Sequence, residues 1–463
     1  MEHYDLLVIG SGPAGQRASI QAAKLGKKTA IVDKSFLIGG VSLHTGTIPS
    51  KTMREAVLYL SGWRQRGFYG RSYRVKQYIT AEDLTQRLET TIRGQVETLQ
   101  HQLFRNRVDV IGGMVSFVDP HTLKIETTKD DVREIKADKI LIATGTTPSH
   151  PDHISFDGKV VLDSDDILGL TELPHSIVVV GAGVIGAEYA SIFSALDIEV
   201  TLLDGRDKVM GFLDDEIIDE FIHNMRDRNM TIRLGENVVS IERDDRNRAK
   251  VKLDSGKQVC ADMVLFAAGR EGSTGKLNLE NAGLTTDERG RLIVNEHYQT
   301  DVDHIYAAGD VIGFPSLAST SMEQGRHAAC HAFGAEAISN TEFFPIGIYA
   351  VPEMSMVGIT EQEAKEKNIP YETGVARFRE ISRGQILGLR EGILKMLFSL
   401  EDGKLLGVHI VGEGATELIH IGQAVLALGG TLDYFVTTVF NYPTLAEAYK
   451  VAALDAYNRF PKE

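Results

Sequence analysis

The chain has 463 residues, which is too many for one ordinary core and implies two to four domains. Its formal net charge of −15 disfavours a nucleic-acid partner, because phosphate binding relies on basic surface. No apolar run reads as a membrane span, and the opening MEHYDLLVIG has neither a basic region nor an apolar signal core, so a cytoplasmic location is expected. The two cysteines, Cys260 and Cys330, form no CxxC or metal-type cluster. They read as reduced thiols buried as small hydrophobes, and no metal site is expected.

Leu6–Ile9 is a short continuous apolar run, as in a strand buried on both faces. It enters Gly10-Ser11-Gly12-Pro13-Ala14-Gly15. In such a turn the first glycine permits the bend, the second admits a pyrophosphate, and the third lets helix pack on strand. Ala14, Ala18, Ala22 and Leu25 share one helix face, and Gly26 closes it. A second strand, Ala30–Val32, ends at Asp33, 18 residues past Gly15, where a carboxylate can bond ribose hydroxyls; Lys34 follows it. Gly39-Gly40 suits close backbone approach to a ligand. A helix is expected from Pro49, with Met53, Ala56, Val57 and Leu60 on its core face. Lys51 then lies in its first turn, where a cation opposes the helix dipole and needs a partner.

A long helix is expected over Ala81–Gln102, then strands at Val108–Phe117 and Thr122–Ile125 in a small meander. Ile140-Leu141-Ile142-Ala143-Thr144-Gly145 is expected to be a buried strand ending at a glycine. A second nucleotide unit follows: strand Ile177–Val180, turn Gly181-Ala182-Gly183-Val184-Ile185-Gly186, and a helix with a stripe of Ile185, Tyr189, Ile192 and Phe193. Its next strand, Val200–Leu203, ends at Asp204. From first glycine to acid is 23 residues in both units, an internal repeat of one supersecondary element. Two dinucleotide sites in one chain imply two redox cofactors that meet. Asp204 favours the free 2′-hydroxyl of NAD, while Arg206 is either an exposed loop residue or a holder of the 2′-phosphate of NADP. Glu188 lies in this second helix.

Met263–Ala268 is a buried strand ending at Gly269-Arg270, and further on comes Ile305-Tyr306-Ala307-Ala308-Gly309-Asp310. From about residue 342, strand-like runs (Gly347–Val351, Lys395–Ser399, Leu405–Val411) alternate with helical stretches (Thr360–Lys367, Ala415–Gly429, Thr444–Arg459). This pattern reads as an α+β domain without a nucleotide turn.

The stretch Gly39-Gly40-Val41-Ser42 through Gly46-Thr47-Ile48-Pro49-Ser50-Lys51 resembles the active-site segment of the flavoprotein disulfide reductases, GGxCxxxGCIPSK. Ser42 and Thr47 stand where those enzymes keep two redox cysteines. Ala143-Thr144-Gly145 and Gly309-Asp310 resemble the family's ATG and second flavin segments, which adds Thr144, Gly145, Gly309 and Asp310 to the FAD site. Tyr442-Pro443-Thr444 through Glu447 resembles HPTxxE, with tyrosine at the histidine position. His409 and His420 do not replace that histidine by spacing. The stretches GTIPSK, GAGVIGAEYASIF and FNYPTLAEAYKVAAL are similar to the soluble, Si-specific pyridine nucleotide transhydrogenases of this superfamily, some of which keep a cysteine at the Ser42 position.

The resemblance implies an α/β fold with two Rossmann-like domains, for FAD and NAD(P), and a C-terminal α+β dimerisation domain. The expected boundaries are 1–150 and 275–341 for FAD, 151–274 for NAD(P) and 342–463 for the interface. The FAD site takes Gly10, Gly12, Pro13, Gly15, Asp33, Lys34, Gly39, Gly40 and Lys51 with the four above. The NAD(P) site takes Gly181, Gly183, Gly186, Asp204, Arg206 and Gly269. Lys51 is expected to pair with Glu188 near the flavin; the alternatives are a solvated lysine at Lys51 and a surface helix carboxylate at Glu188. The implied activity is hydride transfer between NADPH and NAD through FAD, by a homodimer or higher homo-oligomer that uses neither nucleic acid nor membrane. The alternatives are an NAD(P)H dehydrogenase with a quinone acceptor and, from another class, a flavoprotein sensor without turnover.

Overall fold

The computed structural model describes residues 2–34, 38–128, 131–338 and 342–460. The chain forms two compact units, one of Met1–Thr52, Thr85–Ser149 and Gly269–Thr341, the other of Met53–Leu84, His150–Ala268 and Glu342–Glu463.

A seven-stranded sheet organises the first unit. Strand Glu2–Ile9 lies between Thr29–Asp33 and Asp131–Ile142, parallel to both, with Leu7 opposite Ala30 and Ile140. Ile305–Ala307 adds to the end of Asp131–Ile142, also in parallel. One sheet face buries Leu7, Ile9, Val32, Ile140 and Ile305; the other buries Leu6, Val8, Ile31 and Leu141 under Ala14 and Ala18. Burial on both faces is why Leu6–Ile9 is continuously apolar. Helix Pro13–Lys24 packs so closely on helix Ala318–Ala332 that a Cβ on Gly325 would stand 2.1 Å from the Ala14 carbonyl oxygen.

Two expectations are corrected here. Val108–Phe117 is not one strand. Gly113, at φ +156°, splits it into Asp109–Gly112, parallel to Thr29–Asp33 at one sheet edge, and Met114–Asp119, antiparallel to Thr122–Thr128 at the other. A side chain at Gly113 would meet Ile125 Cγ2 at 2.7 Å, so the reversal needs glycine. The strand expected over Ile140–Gly145 stops at Ile142 and starts earlier, spanning the 12 residues Asp131–Ile142. Its first half alternates charged residues with inward Ile135 and Ala137, which hides the period-two pattern in an apolar scan. The long helix covers Ala81–Arg105.

In the second unit a five-stranded parallel sheet runs Thr231–Leu234, Glu199–Asp204, Ser176–Val180, Met263–Phe266, Val161–Asp163. Helix Val184–Ala195 follows the central strand. Nearly all of its residues are buried, whereas Ile185, expected in its core stripe, is only half-buried. A three-stranded antiparallel sheet, Val238–Arg243, Ala249–Leu253 and Gln258–Ala261, lies in the same unit. Cys260 points outward from it, opposite Lys250, and is exposed, contrary to the buried reading. Alternation sets this, since Ala261 faces inward. Cys330 is buried.

The C-terminal part holds a five-stranded antiparallel sheet in the order Ile346–Ile348, Met354–Gly358, Leu405–Val411, Ile393–Ser399, Tyr371–Arg377. The first strand is shorter than the expected Gly347–Val351, and the last helix begins at Glu447 rather than Thr444. Tyr449, Ala452 and Ala456 of that helix bury against Phe398, Val408 and Phe435. Gly374 permits the contact, because a Cβ there would lie 1.9 Å from the Ala452 carbonyl oxygen.

Candidate functional site

The first glycine-rich turn can be tested one position at a time. A Cβ on Gly10, at φ +104°, would stand 2.3 Å from the Ala143 carbonyl oxygen, and one on Gly15 would stand 1.9 Å from the Gly10 carbonyl oxygen. Both positions are closed by the chain itself. Among the described residues, a Cβ on Gly12 would meet no atom within 4 Å. Sterics therefore require glycine at the bend and at the helix–strand contact, while the middle glycine leaves open space beside backbone amides at a helix N-terminus.

Around this turn, Asp33 Oδ2 accepts from the Ser11 amide at 2.9 Å and from the Ser11 hydroxyl. The Gly39 amide donates to that same hydroxyl oxygen at 2.8 Å. Ser11 thus ties turn, acid and Gly39 together, and the glycine pattern alone does not identify it. Gly40 abuts the turn, since a Cβ on it would lie 2.8 Å from Gly12 Cα. Lys34 is exposed. On the neighbouring strand ends, Gly145 is at φ +66° and the Thr144 hydroxyl oxygen is buried without a hydrogen-bond partner among the described residues. The Gly309 amide donates to Gln324 Oε1 at 2.9 Å. Burial lifts the Asp310 carboxyl above the usual carboxylate range, against the opposing charge of Arg270 and a bond from the Ser321 hydroxyl. Gln324 and Ser321 sit on helix Ala318–Ala332, whose small residues give little periodic signal.

Ser42 Oγ donates to the Gly39 carbonyl at 3.3 Å, and Thr47 is exposed. The helix carrying Lys51 starts at Thr47, not Pro49, and the Ser50 amide already bonds the Gly46 carbonyl at 3.1 Å. Pro49 is tolerated inside the first turn because amides there have no intrahelical acceptor. Lys51 consequently lies in the second turn and is half-buried.

The second turn repeats the test. A Cβ on Gly181 would stand 2.6 Å from the Ala267 carbonyl oxygen and one on Gly186 would stand 1.8 Å from that of Gly181. Gly183 faces open space except for Arg206 Nη2 at 3.9 Å. Asp204 accepts from the Ala182 amide at 2.5 Å, from the Arg206 amide at 2.8 Å, and from Arg206 Nε and Nη2 at 3.0 and 2.8 Å. Burial pushes the Asp204 carboxyl up, but the Arg206 guanidinium and these amides outweigh it and hold it below the usual range. The guanidinium is 63% exposed, so the acid is partly neutralised at an accessible edge. Gly269, at φ +146°, falls in the first unit, where its carbonyl accepts from the Ser149 amide at 3.1 Å.

Glu188 is 3% exposed and not a surface carboxylate. Its Oε1 accepts from the Tyr349 amide at 2.9 Å, and the Val351 amide donates to Ser191 Oγ one turn on, also at 2.9 Å. A buried carboxylate is unusual unless it is bonded or used. Lys51 belongs to the first unit and Glu188 to the second.

Tyr442 is exposed and shares a 2.6 Å hydrogen bond with the Ser382 hydroxyl. His409 is buried with Nε2 2.9 Å from the Ile359 carbonyl, and burial pushes its pKa down; His420 pairs with Gln423 at 2.8 Å. Both are packed or polar residues remote in sequence from the tyrosine. Among the described residues no group of three or more His, Cys, Asp or Glu could hold a metal, and no helix is long and apolar enough to cross a membrane.

The pyridine nucleotide-disulphide oxidoreductase family matches residues 4–325, and its dimerisation domain matches residues 344–453. A soluble pyridine nucleotide transhydrogenase of Mycobacterium bovis is 54% identical over 460 residues, covering 99% of this chain and 98% of that protein. The protein of the same name from Colwellia psychrerythraea is 45% identical, covering 98% of both. Among solved structures, LpdA from Mycobacterium tuberculosis superposes with a TM-score of 0.89 at 25% identity, covering 98% of this chain and 99% of the other. The HOCl-induced flavoprotein disulfide reductase RclA from Escherichia coli, as its Cu(II) complex, gives 0.88 at 26% identity with the same coverage.

Proposed function

This chain belongs to the pyridine nucleotide-disulphide oxidoreductase family, and we infer that it transfers hydride between NADPH and NAD through a bound FAD, as a Si-specific transhydrogenase. The observation that carries the reading is the pair of turns with one steric plan, in a chain with Ser42 and Thr47 where the family's disulfide reductases have thiols. A thiolate must attack to reduce a disulfide, and these hydroxyls cannot supply one. NADPH and NAD become NADP and NADH, so atoms and electrons balance without any protein nucleophile.

Among the described residues the first unit has the features of an FAD site: open space over Gly12, a buried Thr144 hydroxyl without a partner and a bonded acid at the strand end. Gly10, Gly12, Pro13 and Gly15 present the turn amides to its pyrophosphate. Asp33 and Lys34 take the adenosine side, Gly39, Gly40, Thr144 and Gly145 line the approach, and Gly309 and Asp310 take the ribityl side. When bound, FAD accepts a hydride from one nicotinamide and returns it to another. Gly181, Gly183, Gly186 and Gly269 admit the nicotinamide dinucleotide; Asp204 bonds a ribose hydroxyl and Arg206 swings to a 2′-phosphate. Lys51 and Glu188 act as a charged pair that tunes the flavin. Residues 151–274 serve as the NAD(P) domain between the FAD segments 1–150 and 275–341. Residues 342–463 form the interface of a cytoplasmic homodimer. The acidic chain is without a nucleic-acid or membrane partner.

The test is anaerobic reduction of thio-NAD by NADPH with the purified flavoprotein, with a quinone run in parallel. Fast thio-NAD reduction with ping-pong kinetics is expected. Flavin bleaching with brisk quinone turnover and no thio-NAD reduction would move the chain to the quinone dehydrogenases. Absence of bleaching would make it a flavoprotein without turnover.

A further inference from the structure

A cavity of about 640 Å³ lies within the second unit, and its lining is unlike the rest of this acidic protein. Eight of its lining residues are arginines, against five carboxylates. They come from the helix and loop after Lys51, the helix Asp215–Asp227 and its end, and the antiparallel sheet region. None of the residues of the Gly181 turn, nor Asp204 or Arg206, lines it.

Arg228 is the centre of the cluster. Its side chain is 8% exposed. Nη2 bonds Glu391 at 3.0 Å and Nη1 the Val351 carbonyl at 2.5 Å, but Nε is buried with no partner among the described residues. Arg66, with a side chain 10% exposed, also buries an Nε without a partner among the described residues; its Nη2 donates to the Ala195 carbonyl at 3.3 Å and reaches Asp197 at 3.4 Å. Both guanidiniums lie over Trp63, at 4.0 and 5.1 Å from the ring centroid. Burial, with the like charges of Arg66 and Arg71, pushes the Arg228 pKa down to about 10 in spite of Glu391. Arg71, Arg377 and Arg390 have no ion pair among the described residues, and Arg390 reaches only the Gly67 carbonyl at 3.5 Å. Buried like charges with unused donors are unfavourable unless an anion meets them. Guanidinium forks match phosphate and carboxylate oxygens in pairs.

We propose that this cavity binds a compact anion bearing two or more phosphate or carboxylate groups, at a site separate from both dinucleotide turns. Trp63 is the only tryptophan of the chain, so its emission reports the cavity alone. The experiment titrates the holoenzyme with inorganic pyrophosphate, inorganic phosphate and citrate, following Trp63 emission and heat of binding together. A saturable response to pyrophosphate with a half-point below about 1 mM is expected. It should weaken severalfold as salt rises from about 0.05 to 0.2 M. The double variant R71S/R390S removes two exposed cations without ion pairs among the described residues, so flavin absorbance should persist while binding weakens about tenfold or more. Tighter binding of citrate than pyrophosphate would assign the carboxylate class within the same proposal. Absence of saturable binding by both pyrophosphate and citrate, or unchanged affinity in the double variant, would overturn it.

Discussion

The two glycine turns share their backbone plan and differ in what surrounds the acid at the strand end. At Gly10 and Gly181, and again at Gly15 and Gly186, a side chain would strike a carbonyl oxygen, so both turns are dictated by the same close approach. In the first turn Asp33 is held by Ser11, whose hydroxyl also takes the Gly39 amide. In the second, Ala182 has no hydroxyl and Asp204 is held by an exposed guanidinium. Seven residues after the first glycine the contrast recurs, with exposed Arg17 in one helix and buried Glu188 in the other. A locked acid suits a resident cofactor. An acid covered by a movable cation suits a site that exchanges two nucleotides differing by one phosphate.

Substitution at the open glycines tests this contrast most severely. Gly12→Val should give a folded but colourless protein without activity. Gly183→Val should stay yellow and lose at least about 100-fold in flavin reduction by NADPH. Equal flavin loss in both variants would erase the distinction. Next in size is Lys51→Met, expected to retain FAD and slow flavin bleaching by about 100-fold, with Glu188→Gln moving the same way. Stopped-flow rates equal to those of the parent would contradict the pair.

Arg206→Ser should raise the KM for NADPH by about 10-fold or more while that for NADH changes little, because a charge-assisted bidentate contact is lost. The acid sets the pH window. Its carboxyl is held below the usual range, so the Asp204–Arg206 contact is complete above the ordinary carboxylate pKa of about 4 and is lost as pH falls through the lower folded value. The KM for NADPH should therefore be flat between about pH 5 and 8 as far as this pair is concerned. A rise in that KM centred in this window would locate the titrating group elsewhere. The smallest effect belongs to Ser11→Ala, which should cost about 1–2 kcal/mol in thermal unfolding followed by flavin fluorescence. The reciprocal Ala182→Ser should stay within about 0.5 kcal/mol, since Asp204 offers the hydroxyl an acceptor.

Much of the site was legible because it rests on local backbone needs. The glycines, the acids after each second strand, and the Ser42 and Thr47 replacements are visible as residue types at fixed spacing. Ser11 was hidden because a serine inside a glycine turn carries no periodic signal. Gln324 was hidden because its helix is built of small residues. Gly113 looked like a residue within one strand and proved to be the point where the chain changes sheet edge.

By itself the sequence determined the two nucleotide turns, the apolar strands beneath them and the absence of redox thiols. Each follows from interactions among residues close in the chain, where sterics leave few alternatives. Tertiary structure decided which charges are buried. The helix pattern around Glu188 does not say whether the carboxylate is buried; that follows from the Tyr349 amide, which reaches it across 161 positions. Nothing in the sequence around Arg66 and Arg228 marks them out, and only the fold brings both over Trp63. Burial of a charge depends on what packs around it from distant segments, and no local pattern carries that information.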